Sequence, residues 1–273
     1  MTRQAPADRP AKLLPIPDGL VVLTFDDGCK SNADFVAPLL KRLGFGATFF
    51  VNDPPAMPKN WKREHYTTWD QVRQIHEVGF EIGNHTASHC DVSAVPWQDF
   101  CQSLELIERL CQEHGIPRPL TFCYPAFRFG RTAVQVLGEQ GYLFARRGPF
   151  PEYRYDHQGQ RGPAYDPRIH HPLLVPTTGF SGPHWGMADL AWAVDQARDG
   201  RIAVLCFHGV PDVEHAWVHT DPKAFEAGMQ CLRSRGNTVI AMRDLARYVD
   251  PAAVPGDPLA EIQRCTEKAE TGS

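Results

Sequence analysis

Two adjacent aspartates, Asp26 and Asp27, a histidine pair four residues apart, His85 and His89, and a late histidine, His208, are the side chains of this 273-residue sequence best suited to catalysis. Imidazoles four apart project from one side of a helix or tight turn and can chelate a single ion. Asp27 supplies a hard carboxylate as a third ligand. Two imidazoles and one carboxylate suit Zn²⁺ first, with Fe²⁺, Co²⁺ or Ni²⁺ as alternatives, and they leave positions open for water and substrate. Open positions mean catalysis rather than scaffolding. A divalent ion polarises a carbonyl and acidifies water, so hydrolysis is the chemistry to expect.

Each signal is weak by itself, because a His-x-x-x-His pair is commonly a surface feature and Asp-Asp-Gly a common turn. Their positions join them. Residues 20–25 form a short apolar run that ends in Asp26-Asp27-Gly28, which reads as a buried strand followed by a turn. The spacing of Phe35, Val36, Leu39, Leu40 and Leu43 predicts a helix over 32–43, and a second strand follows at 47–51. The alternation continues with a helix at 68–78, a strand at 80–82 and a long helix over 96–114 that carries Trp97, Phe100, Cys101, Leu104 and Ile107 on one face. Strands at 120–124, 142–145, 202–207 and 238–240 alternate with helices at 131–139, 187–198, 223–233 and 242–249. This pattern predicts an α/β fold, a distorted (β/α) barrel of seven to eight parallel strands. Residues 20–250 would form the catalytic domain, preceded by an extension (1–19) and followed by a polar tail (251–273). In such a barrel the strand ends share one face. There the Asp26-Asp27 pair, the 83–89 cluster with Gly83 as a turn before His85, and Phe207-His208-Gly209 would converge. Residues 147–186, rich in Gly, Pro, Tyr, Arg and His, break the pattern and read as a loop over the site.

The order Thr24-Phe25-Asp26-Asp27-Gly28, then His85-Thr86-Ala87-Ser88-His89, then a late apolar strand ending in His208-Gly209 resembles the polysaccharide deacetylases that share the NodB homology domain. The likeness spans about residues 20–249. It implies Asp26 as general base, Asp27, His85 and His89 as metal ligands, and His208 as general acid. The chemistry agrees, because an amine anion is too poor a leaving group to depart unprotonated. The family's third motif carries an arginine, but the matching stretch here is Phe122-Cys123-Tyr124-Pro125-Ala126-Phe127, with Cys123 at that position. The resemblance then implies the Ala126 N–H as oxyanion donor, with Tyr124 and Pro125 lining the site. Arg128, Arg131, Arg147 or Arg161 are candidates to replace the missing guanidinium. Asp156 and Asp166 fall in the interval of the family's Asp-Trp motif, which orients the acid.

The activity implied is removal of an acyl group, acetyl foremost, from the amide nitrogen of an N-acetylated amino sugar in an oligo- or polysaccharide. Hydrolysis of another small amide, cyclic imide or ureide on the same fold is the enzymatic alternative, and a non-catalytic glycan-binding protein is the alternative outside catalysis. A net charge of −4 argues against nucleic acid or an anionic membrane as partner, so a carbohydrate or other small amide substrate is expected. Oligomeric state is not legible. The first nineteen residues carry Arg3, Arg9 and Lys12 but no continuous apolar stretch, so a cytoplasmic location is expected. None of the eight cysteines forms a C-x-x-C pair, and reduced, buried thiols are the expectation. His215 and His219, with Trp217 between them, read as a loop lining the cleft rather than a second metal site. His170-His171 reads as solvent-facing or substrate-lining. Phe150, Tyr153, Tyr155 and Tyr165 could stack on a sugar ring or simply pack. Substrate choice is expected to reside in residues 147–186 and 209–220.

Overall fold

The first strand, β1 (Leu20–Phe25), is buried along its whole length, as a sequence apolar except for Thr24 requires of a strand covered on both faces. It is the centre of the sheet in a computed structural model that describes residues 12–154, 158–257 and 259–260. Tyr155, Asp156, Cys265 and most of both terminal extensions lie outside the described residues. After β1 the chain runs through a π-helical turn (Asn32–Val36) into α1 (Ala37–Leu43), then β2 (Thr48–Val51), α2 (Trp69–Glu77), β3 (Glu81–Asn84) and α3 (Trp97–Glu113). There follow β4 (Thr121–Cys123), α4 (Arg131–Glu139), β5 (Phe144–Arg146), β6 (Gln160–Arg161) and β7 (Gly179–Phe180). The last elements are α5 (Met187–Asp195), β8 (Ala203–Phe207), α6 (Pro222–Ser234) and β9 (Thr238–Ile240). Local chemistry fixes several boundaries. Thr68 and Gln71 form a reciprocal capping box at the start of α2, and Asp221 accepts from the Ala224 N–H at the start of α6.

The sheet runs in the order β5-β4-β3-β2-β1-β8-β7-β6, with β9 against the first half of β1. Every pairing is parallel except β6 with β7. One segment joins the two edges of this curled sheet. The Val175 N–H donates to Ala145 O (2.8 Å) and the Arg147 N–H to Val175 O (2.9 Å), while a few residues on the Thr178 N–H donates to Val204 O (2.8 Å) and the Ser181 N–H to Cys206 O (2.9 Å). The barrel expectation is met, but β6 and β7 lie inside the interval read as a loop. They escape a periodicity reading because each has only two residues.

The strict alternation of strand side chains organises everything above it. Val21, Leu23 and Phe25 point outward to the helices, where they pack with Leu39, Leu40, Val72, Ile75, Phe225 and Met229. Leu20, Val22, Phe50, Cys123, Phe144, Ile202 and Val204 fill the interior. Counting upward in steps of two, the inward positions at the C-terminal ends are Asp26, His85, Cys123, Arg146, Cys206 and His208. Gly83 is an inward position of β3, not a turn: a Cβ there would lie 2.4 Å from the Phe50 ring, so the large neighbour demands the small residue. Two further expectations are corrected. Trp97 is 55% exposed and α3 buries Phe100, Leu104, Ile107 and Cys111 instead. The segment after β9 is a 3-10 turn, Met242–Arg247, rather than an α-helix. Among the described residues, no helix is long and apolar enough to cross a membrane.

Candidate active site

Asp26 leaves β1 on its inward side, level with the end of β8, where its N–H donates to Phe207 O (2.9 Å). The chain then turns sharply. Asp27 adopts a left-handed backbone (φ 67°), which breaks the alternation and brings a second carboxylate to the same end of the barrel. His85 follows β3 as an inward residue. The segment after it is a turn, not a helix: Asn52 Nδ2 donates to the carbonyls of both His85 and Thr86 (2.8 Å each), and Asn84 Oδ1 accepts from the Thr86 N–H. Thr86 and His89 are left-handed (φ 59° and 53°), and His89 thereby folds back beside His85.

Asp27, His85 and His89 each present one donor atom within 4.8 Å of the others. His85 Nε2 is 3.3 Å and His89 Nε2 3.5 Å from Asp27 Oδ1, a buried oxygen without a hydrogen-bond partner among the described residues. The Nδ1 of His85 lies 2.8 Å from the Cys123 carbonyl. A carbonyl can only accept, so Nδ1 carries a proton and Nε2 is the nitrogen that faces Asp27; burial favours neutral His85, but the carboxylates of Asp27 and Asp26 more than reverse this and raise its pKa. Burial opposes charge on Asp27, but the neighbouring histidines more than reverse this and hold its carboxyl far below the usual range. Burial likewise favours neutral His89, and with His85 and His208 nearby its pKa falls to about 4. An orphaned carboxylate oxygen facing two imidazole nitrogens is the donor set that a divalent cation requires.

Asp26 has a different environment. Arg146 Nη2 donates to both of its oxygens (2.6 Å to Oδ1) and also approaches Cys123 Sγ at 2.7 Å. Arg146 is fully buried, its Nη1 donates to Thr177 Oγ1 (3.0 Å), and its guanidinium carbon lies 5.9 Å from the Phe50 ring centre and 5.4 Å from that of Phe127. The thiols of Cys123 and Cys206 both sit 3.5 Å from Asp26 Oδ2, and burial pushes both well above the ordinary thiol range, so both remain S–H donors. Burial alone would raise the Asp26 pKa; Arg146, then His85 and His208, bring it below the ordinary value. His208 Nε2 is 3.9 Å from both Asp26 Oδ2 and Asp27 Oδ2, and its Nδ1 is buried without a partner among the described residues.

These groups open into a cavity of about 710 Å³ lined also by Trp61, Ser93, Ala126, Phe127, Phe150, His215 and Trp217. Ala126 and Phe127 are both left-handed (φ 48° and 57°), a conformation that costs about 1–3 kcal/mol per residue and gathers at functional sites.

Several expected positions are displaced. The guanidinium on Asp26 comes from Arg146, not from Arg128, Arg131, Arg147 or Arg161. Arg131 pairs with Asp257, Arg161 with Asp189, and Arg147 with Glu152; Arg128 lies exposed at the cavity. Alternation from Phe144 was the signal that would have found Arg146. Tyr124 and Pro125 do not line the cavity: one step beyond inward-facing Cys123, Tyr124 points outward and donates to Leu173 O (2.9 Å). Asp166 binds Arg168 and His170 rather than His208, and Asp156 lies outside the described residues. His170 is buried and accepts from the Asp166 N–H, while half-buried His171 caps a 3-10 turn, and neither lines the cavity. His215 lines the cavity, but His219 turns away to the Asp212 carbonyl (3.1 Å). Tyr165 is core, Tyr153 packs on Trp192, and only Phe150 of the described aromatic candidates reaches the cavity. All seven described cysteines are free thiols; Cys29, Cys111, Cys123 and Cys206 are buried as expected, while Cys90, Cys101 and Cys231 are only half-buried.

Residues 15–145 match the family model for polysaccharide deacetylase. Chitin deacetylases from Colletotrichum lindemuthianum and a Pestalotiopsis species are 32% and 29% identical over 107 and 120 residues, or 39% and 44% of this chain. The chain spans about two fifths of the length of these curated relatives, 41% and 38%. The fold is similar to that of the solved Colletotrichum lindemuthianum chitin deacetylase (TM-score 0.57, 18% identity, 89% of this chain and 93% of that one). A family 4 acetyl xylan esterase from Clostridium thermocellum, solved with cobalt, is similar at TM-score 0.57 and 22% identity, over 86% of this chain and 95% of that one. Over residues 15–145, the segment that carries Asp26, Asp27, His85 and His89, the chain is similar to the polysaccharide deacetylase family.

Proposed function

We propose that the protein hydrolyses the amide of an N-acetylated amino sugar in an oligo- or polysaccharide, releasing acetate and the free amine. The observation that carries this reading is the orphaned Asp27 Oδ1 facing His85 and His89 beside a separate carboxylate, Asp26, locked by Arg146. A divalent ion held by Asp27, His85 and His89, zinc first with cobalt, iron or nickel as alternatives, would supply Lewis-acid polarisation of the amide carbonyl and acidify water. Asp26, kept ionised by its guanidinium, accepts the proton of the attacking water. The Ala126 N–H, at the cavity wall, donates to the oxygen that gains negative charge. His208 Nε2 delivers a proton to the amide nitrogen as the C–N bond breaks, so that the sugar leaves as an amine. The names of the relatives, chitin deacetylases, support the substrate class.

The test is bound metal by elemental analysis in the wild type and in Asp27→Ala, His85→Ala and His89→Ala, alongside acetate release from N-acetylated chito-oligosaccharides. The expected result is stoichiometric metal lost in each folded variant together with metal-dependent acetate release. Metal without acetate release from any acylated sugar would turn the reading to a small cyclic amide, and no metal dependence would overturn it.

A further inference from the structure

We propose that Phe150 is a substrate-specificity residue of the cavity, and that buried Arg147 and Glu152 are positioning residues that hold it there; this rests on the deacetylase reading above. Arg146 and Arg147 are adjacent at the end of β5, and alternation sends them in opposite directions. Arg146 goes inward to Asp26. Arg147 goes outward, is fully buried, and touches none of the catalytic candidates. Burying a guanidinium is costly unless its protons are taken up, and here the loop that follows takes up protons of both terminal nitrogens, while Nε is buried without a partner among the described residues. Nη1 donates to Gly148 O (3.1 Å) and Phe150 O (2.7 Å), and Nη2 pairs with the Glu152 carboxylate.

The anchor itself is fixed on every side. The Arg147 N–H donates to Val175 O (2.9 Å), and the Thr177 hydroxyl donates to Arg147 O (2.6 Å). Glu152 Oε1 also faces His170 Nε2 at 3.7 Å. Because His170 Nδ1 accepts from the Asp166 N–H, Nε2 carries the proton that faces the carboxylate. Gly148 lets this loop come down on the cavity: a Cβ there would lie 2.5 Å from the ring of Phe127, itself a cavity residue.

The loop thus wraps a buried cation and leaves the Phe150 side chain 49% exposed in the wall that also holds Asp26, Asp27, His85, His89 and a 51% exposed Trp217. Among the described residues its ring packs on no other aromatic ring. A half-exposed phenylalanine gains by covering its face, and the C–H face of a pyranose ring on the scissile nitrogen offers such a cover. The substrate class is therefore a ring-bearing amide rather than a linear one.

The experiment compares Phe150→Ala, Glu152→Gln and the double variant on an N-acetylated chito-oligosaccharide and on a linear N-acetyl alkylamine, with calorimetric binding of the deacetylated chito-oligosaccharide as a second readout. Phe150→Ala is expected to raise KM and the product Kd about threefold to tenfold for the sugar, with kcat unchanged and no change for the alkylamine. Glu152→Gln is expected to raise the same constants, with no further effect once Phe150 is gone. An unchanged sugar KM and Kd in Phe150→Ala would overturn the proposal, as would additive effects in the double variant. If the wild type hydrolyses neither amide, the deacetylase reading fails, and the binding constants still decide the role of Phe150.

Discussion

Arg146 and Asp26 lie 120 residues apart in sequence and form a fully buried ion pair in which one guanidinium nitrogen serves both carboxylate oxygens. The carboxylate cannot rotate without losing these bonds. Removing the cation also leaves a charge uncompensated in the barrel, at a cost of about 3–5 kcal/mol. Arg146→Ala is therefore expected to lower stability and reduce kcat about 10²–10⁴-fold. Arg146→Lys should keep the fold while losing the two-oxygen grip, so its kcat falls with metal content unchanged. Elemental analysis beside acetate release separates the two effects; loss of metal in Arg146→Lys would place the arginine with the Asp27 ligands instead.

The same pair marks how far the sequence was legible. Asp27, His85 and His89 stand out because a ligand set needs particular residue types at particular spacings, and each follows a recognisable strand. Arg146 does not stand out. A strand read as 142–145 stops one residue short of it, and the pull of Phe144, Ala145 and Arg146 into an in-out-in pattern is visible only once the strand's extent is known. Tyr124 was misplaced for the same reason, since alternation from Cys123 sends it outward to Leu173. The closure of the barrel was illegible for another: the residues around Thr177 and Thr178 are held by bonds to β5 and β8 on either side, not by any local periodicity. His170 and Asp166 look functional in the sequence because polar types in an irregular stretch do so until their mutual hydrogen bond is seen.

Glu152 gives a pH dependence whose sign can be worked out. Burial pushes its carboxyl up, but His170 and then Arg147 more than reverse this, holding it at about 2 against an ordinary 4.5. A depressed carboxylate contributes stability that is complete above the unfolded value and is lost as pH falls through the folded one. The contribution, on the order of 3 kcal/mol at neutral pH, should fade between about pH 4.5 and 2. Thermal melts of wild type and Glu152→Gln should differ most at neutral pH and converge toward pH 2. A constant difference across that range would show that the carboxylate's charge is not what stabilises the loop.

Gly83 predicts a packing defect that reaches the candidate metal ligands. A methyl group at this inward position would meet the Phe50 ring at 2.4 Å and Thr121 Oγ1 at 3.1 Å, and neither neighbour is at the end of a flexible chain. Gly83→Ala should cost about 1–3 kcal/mol, as overpacking of a filled interior does. Because His85 is two residues further along the chain, just past the end of β3, the displacement should also weaken metal binding. Denaturant unfolding and chelator competition would register the two effects, and an unchanged melt would mean that β3 has room to move.

Trp61 tests whether the candidate ligand His89 depends on the wall behind it. His89 is the least buried of the three candidate ligands and sits on a left-handed residue, so little in its own backbone holds the ring. The indole of Trp61 packs against it at 5.1 Å, stacks on Tyr66 at 5.5 Å and meets His215 edge-on at 4.7 Å, so one side chain braces the ligand against two elements. Partners that orient a ligand typically account for about tenfold to hundredfold in metal affinity. Trp61→Ala should lower affinity within that range in a chelator competition, and Trp61→Phe, which keeps a ring in place, should recover most of it. Equal losses in both variants would show that the indole's contact with His215, rather than its support of His89, is what matters.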